Sequence, residues 1–186
     1  MLDLQKIDEH WTLFLDRDGV INEEKEQSYI FHYGEFAFYE GGLEALQLLA
    51  GVFPRIVVVT NQRGVGKGLM TAGDLADIHA QMVAAATAAG GRIDAVYYCD
   101  SMSNDHPHRK PNPGMALAAR QDLPDIDFSR SIMVGNNLSD MEFGRNAGMY
   151  TVFLSTTSEA PALPHPSIDM VFKSLYDFAT AVLKKI

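Results

Sequence analysis

The chain has a single cysteine, Cys99, which excludes an internal disulfide framework. It also lacks an apolar run approaching the roughly 18 residues that a membrane-spanning helix requires. The N-terminal segment carries acidic residues where a secretory signal peptide has a basic head followed by a long apolar stretch. These absences predict a cytoplasmic protein with no membrane partner.

Positive charge is also scarce, because 15 Lys and Arg stand against 24 Asp and Glu and the net charge is −9. No basic stripe is available to displace counterions, so we do not expect nucleic acid as a partner. The cationic contacts for an anionic substrate must therefore be local. The length of 186 residues and the hydrophobic fraction of 47% are ordinary for a globular protein, and they predict a monomer with one domain over residues 1–186.

Short β-branched runs alternate with helical periodicity, which is typical of parallel strands joined by right-handed crossovers. The predicted strands span 11–15, 55–60, 94–99, 131–134, 150–154 and 169–172. The predicted helices span 42–50, 72–89, 113–121, 138–147 and 174–184. Segment 22–39 has no clean periodicity and is predicted to be a small flap. The predicted fold class is α/β, a Rossmann-like open parallel sheet with helices on both faces and a minimal cap.

Two acids, Asp16 and Asp18, directly follow the first predicted strand and precede Gly19. A buried strand that opens into carboxylates on alternate residues, followed by a glycine turn, aims both acids at one point. Like charges that close require a compensating cation, and Mg²⁺ with a bound phosphate is the usual occupant of such carboxylate sites. The alternative is that the two acids only terminate the strand in a turn.

Polar side chains follow three further predicted strands. The second strand ends in Thr60–Gly64, the third leads through a His-rich loop to Arg109–Pro111, and the fourth ends in Gly135–Asp140. Ligands of open parallel sheets bind beyond the carboxyl ends of the strands, where the strand order reverses. The sequence therefore predicts one ligand site assembled from all four strand ends.

Four phrases carry a resemblance to a known family: Phe14–Asn22, Thr60–Gly68, Arg109–Met115 and Val134–Met141. Together and in this order they resemble the four motifs of the haloacid dehalogenase-like phosphohydrolases. The closer similarity is to a small-capped branch that contains heptose bisphosphate and histidinol-phosphate phosphatases. The similarity extends from Phe14 to about Tyr150.

The resemblance implies a catalytic role for four residues. Asp16 would attack phosphorus as the nucleophile, and Asp18 would act as general acid and then as general base. Thr60 would hold phosphoryl oxygens together with Asn61, and Lys110 would neutralise the charge that develops on them. The alternatives are a helix or turn cap for Thr60 and a solvated loop cation for Lys110.

Further phosphate or substrate contacts are predicted for Asn61, Gln62, Arg63 and Arg109. Arg109 matches a substrate-contacting position in the relatives, and its planar fork suits a second phosphate or a carboxylate. Arg63 lies with Lys67 in a Gly-rich segment that is predicted to be a mobile loop, where the alternative role of both cations is solubility.

The resemblance also implies a Mg²⁺ site formed by Asp16, the backbone carbonyl of Asp18, Asn136 and Asp140. The relatives usually have Asp where this chain has Asn136, and Lys where it has Asn137. An amide oxygen can ligate Mg²⁺, but the loss of one negative charge should weaken binding. Asp140 could restore the charge, or it could be a first-turn acid favoured by the helix dipole.

A second departure concerns zinc, which many heptose bisphosphate phosphatases bind with two cysteine-containing pairs before the Arg-Lys-Pro motif. Here the matching stretch retains Cys99, His106 and His108, and Ser101 stands at the second position. Such a set is incomplete for a structural zinc site. A metal-free loop is the favoured interpretation, with a residual zinc site on the three remaining side chains as the alternative.

These observations predict a Mg²⁺-dependent phosphomonoesterase that forms an aspartyl-phosphate. The expected partner is a small phosphorylated metabolite, with a heptose (bis)phosphate first and histidinol phosphate second. An alternative from another class is a catalytically weakened sugar-phosphate-binding protein, since Asn136 and Asn137 depart from the motif.

Overall fold

The computed structural model describes residues 1–25 and 28–185, and it places one six-stranded parallel sheet at the centre, in the order β3-β2-β1-β4-β5-β6. The α/β fold predicted from the sequence is confirmed. The strands are β1 (Thr12–Leu15), β2 (Arg55–Asn61), β3 (Ala95–Cys99), β4 (Ser131–Gly135), β5 (Tyr150–Leu154) and β6 (Met170–Phe172).

Helices cover both faces of the sheet. They are α1 (Gly42–Ala50), α2 (Arg63–Gly66), α3 (Ala72–Ala88), α4 (Gly114–Asp122), α5 (Leu138–Ala147) and α6 (Leu175–Lys184). Buried side chains of α1, α3 and α6 share one hydrophobic cluster, and those of α4 share a second cluster with α5 on the opposite face. In the part of the chain that the structure describes, none of the helices has both the length and the apolar character needed to cross a membrane.

The central strand β1 is buried on both faces, as its uninterrupted apolar run predicts. Leu13 and Leu15 point into one cluster, whereas Phe14 points into the other. Leu15 lies beside Val58 of β2 and Val134 of β4. The chain order reverses at β1, so the residues that follow these three strands meet at one edge of the sheet.

The flap after β1 is short and is attached at both ends. Asn22 forms isolated β-bridges with Asp18 and with Phe38, and Tyr33–Glu35 form a 3₁₀ turn between them. Residues 26 and 27 of the predicted flap lie outside the described residues. The described part agrees with the expected minimal cap.

One local prediction was wrong. Arg63–Gly66 form the short helix α2 instead of the expected mobile loop. A Cβ atom at Gly66 would lie 2.1 Å from the carbonyl oxygen of Asp100, so the glycine allows α2 to pack directly against the segment after β3. Arg63 begins this helix and donates to Met102 in the same segment.

The buried face of helix α3 carries a histidine, His79, which is 8% exposed. The Nε2 atom of His79 lies 3.1 Å from Nη1 of Arg17, which is 1% exposed at the end of β1. Burial, reinforced by the Arg17 charge, lowers the pKa of His79 to about 4. His79 is therefore neutral in the folded protein and accepts a hydrogen bond from Arg17.

We expect the free energy of unfolding to decrease as the pH falls from about 6.5 to about 4.5. Unfolded His79 binds a proton near its ordinary pKa of 6.5, whereas folded His79 stays neutral down to about 4. Because the unfolded state then binds more protons, His79 contributes a loss on the order of 2–3 kcal/mol over this range. Urea denaturation at several pH values should show this as a steeper decline for wild type than for His79→Gln. Parallel curves for the two proteins would contradict it.

Candidate active site

The carboxyl edge of the sheet carries a polar cleft that contains most of the predicted site residues. Its lining comes from four places: Asp16, Arg17 and Asp18 directly after β1; Thr60, Asn61 and Gln62 at the end of β2; Lys110 in the loop before α4; and Asn137, Ser139 and Asp140 at the start of α5. The flap closes one side with Glu24, Lys25, Ser28, Tyr29 and Ile30. The four motifs therefore converge as the strand order predicts.

Lys110 is the buried centre of this cleft. Its Nζ atom lies 2.8 Å from Oδ1 of Asp16 and 2.7 Å from Oδ1 of Asp140. The ammonium also donates to the carbonyl oxygen of Val59 at 2.9 Å. Burial acts to lower the pKa of Lys110, but the Asp140 and Asp16 carboxylates outweigh it and raise the pKa. Lys110 therefore carries a positive charge at the cleft floor.

Asp16 is 7% exposed, and its ionisation is finely balanced. Burial raises the pKa of Asp16 to about 7, Lys110 opposes this shift, and the nearby Asp140 carboxylate adds to it. A further positive charge at the cleft would favour the ionised carboxylate. A cation bound beside Asp16 would therefore be stabilised by this carboxylate.

The pKa of Asp18 is shifted in the opposite direction. Burial acts to raise its pKa, but the Arg17 charge and hydrogen bonds from Asn22, Arg17 and Gln62 lower it below the usual value. Asn22 Nδ2 donates to Oδ1 at 3.0 Å, and Gln62 Nε2 donates to Oδ2 at 2.7 Å. The same Gln62 amide donates to Oγ1 of Thr60 at 2.9 Å. The predicted phosphate contact Gln62 is thus also the link between Asp18 and Thr60.

Asn61 fixes the backbone of Lys110 at the end of β2. Its Oδ1 accepts from the Lys110 backbone N–H at 3.1 Å, and its Nδ2 donates to the Lys110 carbonyl oxygen at 3.4 Å. In this structure the Asn61 side chain therefore positions Lys110, while its predicted phosphate contact stays a prediction.

Asn136 is fully buried at the end of β4, where it connects three loops. Its Nδ2 atom donates to Oγ1 of Thr157 at 2.8 Å and lies 3.4 Å from Oε2 of Glu24. Its Oδ1 atom accepts from the Asn137 amide at 3.2 Å. Gly19 adopts φ +84°, and a Cβ atom there would lie 2.0 Å from the Asn136 amide nitrogen. Only glycine satisfies both constraints at this position.

Asp140 caps the first turn of α5. Its Oδ2 accepts from the Asn137 backbone N–H at 3.0 Å, which completes a capping box, while its Oδ1 contacts Lys110. A Cβ atom at Gly135 would lie 2.2 Å from the Cβ of Asp140, so the glycine admits this close approach. Asp140 is therefore a first-turn acid of α5, and its predicted ligation of Mg²⁺ stays a prediction.

The donor set beside Asp16 fits Mg²⁺, a hard cation that prefers oxygen ligands and retains water. The Asp16 carboxylate, the Asp18 backbone carbonyl and the Asn136 amide oxygen are the donors that would hold the ion. Within residues 1–25 and 28–185, no three His, Cys, Asp or Glu side chains converge on a metal position. A Mg²⁺ site here would therefore use backbone and amide oxygens as well as carboxylate.

Two arginines next to the cleft lack anionic partners among the described residues. Arg63 donates to Asn104 and to the carbonyl oxygen of Met102, but its Nε atom is buried without a hydrogen-bond partner, as is Nη1 of Arg109. Burial, with a contribution from the Arg63 charge, lowers the pKa of Arg109. The neighbouring Lys67 ammonium lies 5.2 Å from the ring centre of Tyr29. This flank of the cleft suits an anion.

The predicted alternative of a residual zinc site is not formed in the described structure. Cys99 Sγ lies 3.6 Å from Nδ1 of His106, but that nitrogen also accepts the backbone N–H of His108 at 3.2 Å. The His108 ring packs edge-on against His106, with their centres 5.6 Å apart. Among the described residues, no three His, Cys, Asp or Glu side chains form a group that could hold a metal ion, and this set is no exception.

Sequence reasoning missed four residues that contact the predicted site: Arg17, His79, Glu24 and Thr157. A charged residue between two acids at the end of a buried strand was a usable signal for Arg17. His79 follows Leu75 by four residues on an apolar helix face, which was also detectable. Glu24 and Thr157 come from loops without periodicity, so nothing in the sequence placed them beside Asn136.

Comparison with known proteins identifies the family. A family model described as HAD-hydrolase-like matches residues 107–178. A D-glycero-alpha-D-manno-heptose-1,7-bisphosphate 7-phosphatase from Mycobacterium bovis is 38% identical over 173 residues, which cover 92% of this chain and 91% of that protein. A D-glycero-beta-D-manno-heptose-1,7-bisphosphate 7-phosphatase from Salmonella typhi is 32% identical over 187 residues, which cover 94% of this chain and 96% of that protein.

A solved structure agrees in fold over nearly the same length. The D,D-heptose 1,7-bisphosphate phosphatase from B. bronchiseptica, complexed with magnesium and phosphate, superposes with a TM-score of 0.83 and 28% identity, covering 94% of this chain and 99% of that chain. The chain therefore belongs to the haloacid dehalogenase-like hydrolases, and within them to the family of these heptose bisphosphate phosphatases.

Proposed function

We propose that this phosphatase hydrolyses the 7-phosphate of a heptose 1,7-bisphosphate through an aspartyl-phosphate on Asp16. The observation that carries the proposal is the buried Asp16 carboxylate, held 2.8 Å from Lys110 at the sheet edge where four motifs converge. The sugar is taken from the relatives, whose names specify this substrate.

Asp16 is oriented for nucleophilic attack. Its Oδ1 atom accepts from the Arg17 backbone N–H at 2.8 Å and contacts Lys110 at 2.8 Å, so Oδ2 is the oxygen available to attack phosphorus. The new bond joins Oδ2 to phosphorus as the bond to the sugar oxygen breaks. Water then cleaves the acyl phosphate, which releases inorganic phosphate and regenerates the carboxylate.

The neighbouring groups serve the two proton transfers and the transferred charge. The pKa of Asp18 is lowered in this structure, and the negative phosphoryl group of a bound substrate raises it, so that Asp18 takes up a proton. It gives this proton to the departing sugar oxygen and later removes one from the attacking water. Because Thr60 Oγ1 accepts from Gln62, its own hydroxyl hydrogen is free to donate to a phosphoryl oxygen. Lys110 stabilises the negative charge on the same oxygens. Mg²⁺, when bound by Asp16, the Asp18 carbonyl and Asn136, supplies positive charge to the phosphoryl group and favours ionised Asp16.

The two arginines beside the cleft favour a bisphosphate over histidinol phosphate. Arg63 and Arg109 both present buried nitrogens without hydrogen-bond partners in the described structure, and a second phosphate would satisfy them. Histidinol phosphate carries a cationic amine in place of a second anion, and this amine would be repelled there. The pair therefore supports a substrate with two phosphates.

We further propose that the enzyme acts as a cytoplasmic monomer. The cleft of the single chain already contains Asp16, Asp18, Thr60 and Lys110. The net charge of −9 disfavours nucleic acid and anionic membranes as partners.

Replacing the nucleophile should abolish turnover. Asp16→Asn keeps the shape of the side chain but removes the attacking charge, so we expect phosphate release to fall by more than about 10³-fold. Release from heptose bisphosphate with Mg²⁺ is measured with malachite green. Equal release of phosphate from both proteins would refute the assignment of Asp16 as the nucleophile. Release from neither, with binding intact, would favour the sugar-phosphate-binding alternative.

Removing one arginine should weaken recognition of the second phosphate specifically. We expect Arg109→Gln to raise KM for heptose 1,7-bisphosphate by about 10- to 100-fold, because a charge-assisted hydrogen bond is lost. The KM for the 7-monophosphate should change little. Lys67→Gln is the control, since its ammonium faces Tyr29. An equal change for both substrates would contradict the assignment.

Restoring the acid at position 136 should strengthen Mg²⁺ binding. Because Glu24 lies 3.4 Å from this amide, the substitution Asn136→Asp is made with Glu24→Gln to avoid repulsion between carboxylates. We expect the double variant to lower the half-maximal Mg²⁺ concentration by roughly threefold to tenfold, with a matching change in affinity by calorimetry. Glu24→Gln alone is the matched control. An unchanged affinity would assign the ion to other ligands.

A further inference from the structure

Arg17 is a buried arginine in a position where the catalytic cleft alone does not require one. It is 1% exposed and is the largest of the fully buried side chains. A buried guanidinium is retained only when its charge and its donors are matched by partners. The contacts of the Arg17 guanidinium therefore indicate its role.

Those partners are Asp18 and His79. Nη2 of Arg17 lies 2.9 Å from each carboxylate oxygen of Asp18, and Nε lies 3.3 Å from Oδ1. On the other side, Nη1 lies 3.1 Å from Nε2 of His79. A planar guanidinium that is fixed at both edges cannot rotate, so the carboxylate that it holds keeps one orientation.

His79 is anchored independently of β1. It lies on the buried face of α3, and its ring packs at 6.0 Å from that of Tyr98 on β3. The hydrogen bond from Arg17 requires Nε2 to be the acceptor, so the proton of the neutral ring is on Nδ1. Because His79 is held on α3, its neutral ring fixes the guanidinium relative to that helix without adding a charge.

The remaining contacts of Asp18 are neutral. Asn22 and Gln62 each donate one amide hydrogen bond to its carboxylate, and Arg17 provides the cationic contact. Asp18 has to transfer a proton to one oxygen and later take a proton from another, and both transfers require close alignment with the phosphoryl group. Loss of Arg17 removes the charged contact that holds both oxygens of Asp18, and with it the orientation that these transfers require.

We propose that Arg17 is a positioning residue for proton transfer by Asp18, and that His79 fixes Arg17 in its working orientation. This inference rests on the proposed function, because it assumes that Asp18 protonates the sugar oxygen as its bond to phosphorus breaks. Arg17 lines the cleft beside Asp18, and in this scheme its guanidinium acts through Asp18.

The test compares two leaving groups. The sugar oxygen needs a proton to depart, whereas the nitrophenolate of p-nitrophenyl phosphate does not. For Arg17→Met we expect kcat/KM to fall by about 100-fold with heptose 1,7-bisphosphate and by less than about threefold with p-nitrophenyl phosphate. A merely structural role would lower both values together, and that result would overturn the proposal, as would unchanged values for both.

His79 provides a second, milder test if Arg17→Met does not fold. We expect His79→Leu, which removes the acceptor, to reproduce the leaving-group difference at roughly tenfold, and His79→Gln, which retains an acceptor, to restore most of the activity. Equal behaviour of these two variants with both substrates would overturn the role of His79.

Two controls separate this inference from the proposed function. Asp16→Asn should be inactive with both leaving groups, and wild type should release phosphate from both. If wild type releases none, the proposed function itself fails. Acid-quenched samples provide a readout besides turnover, since Arg17→Met should still form the acid-stable phosphoenzyme from p-nitrophenyl phosphate. Its absence in a folded variant would also overturn the proposal.

Discussion

The charge balance of Lys110 is the constraint on which the rest of the site depends. One buried ammonium lies between Asp16 and Asp140 and donates to the β2 backbone at Val59. Removing Lys110 would leave two buried carboxylates facing each other without compensation, which is more costly than losing a surface pair. The same ammonium fixes Asp16, which is the proposed nucleophile, together with the first turn of α5 and the end of β2. The proposed catalytic geometry and local stability therefore depend on the same ion pairs.

This network is possible because of where β1 lies. A strand buried on both faces and flanked by β2 and β4 brings the segments after three strands to one edge. Two close approaches complete the arrangement, since Gly19 makes room for Asn136 and Gly135 makes room for Asp140. The cleft is thus a consequence of strand order together with two positions that admit no side chain.

Most of the architecture could be predicted from the sequence, because it depends on local periodicity. The apolar run before Asp16 marked β1, and the segment 42–50 was predicted with the bounds that α1 has. The convergence of the four motifs also followed from a general property of parallel sheets. The contacts of Arg17 with His79, and of Asn136 with Thr157, could not be predicted. They join side chains from separate elements, and no spacing along the chain encodes them.

The amide at Asn136 has a consequence for how the cleft meets its substrate. By donating toward Thr157 and Glu24, it ties the end of β4 to the loops after β5 and β1, which a carboxylate could not do with both partners. The conformational entropy of these loops is lost when the protein folds and not when a ligand arrives. With an amide at position 136, the rim of the cleft carries one negative charge fewer than a carboxylate there would give, and its loops are already connected before a ligand binds.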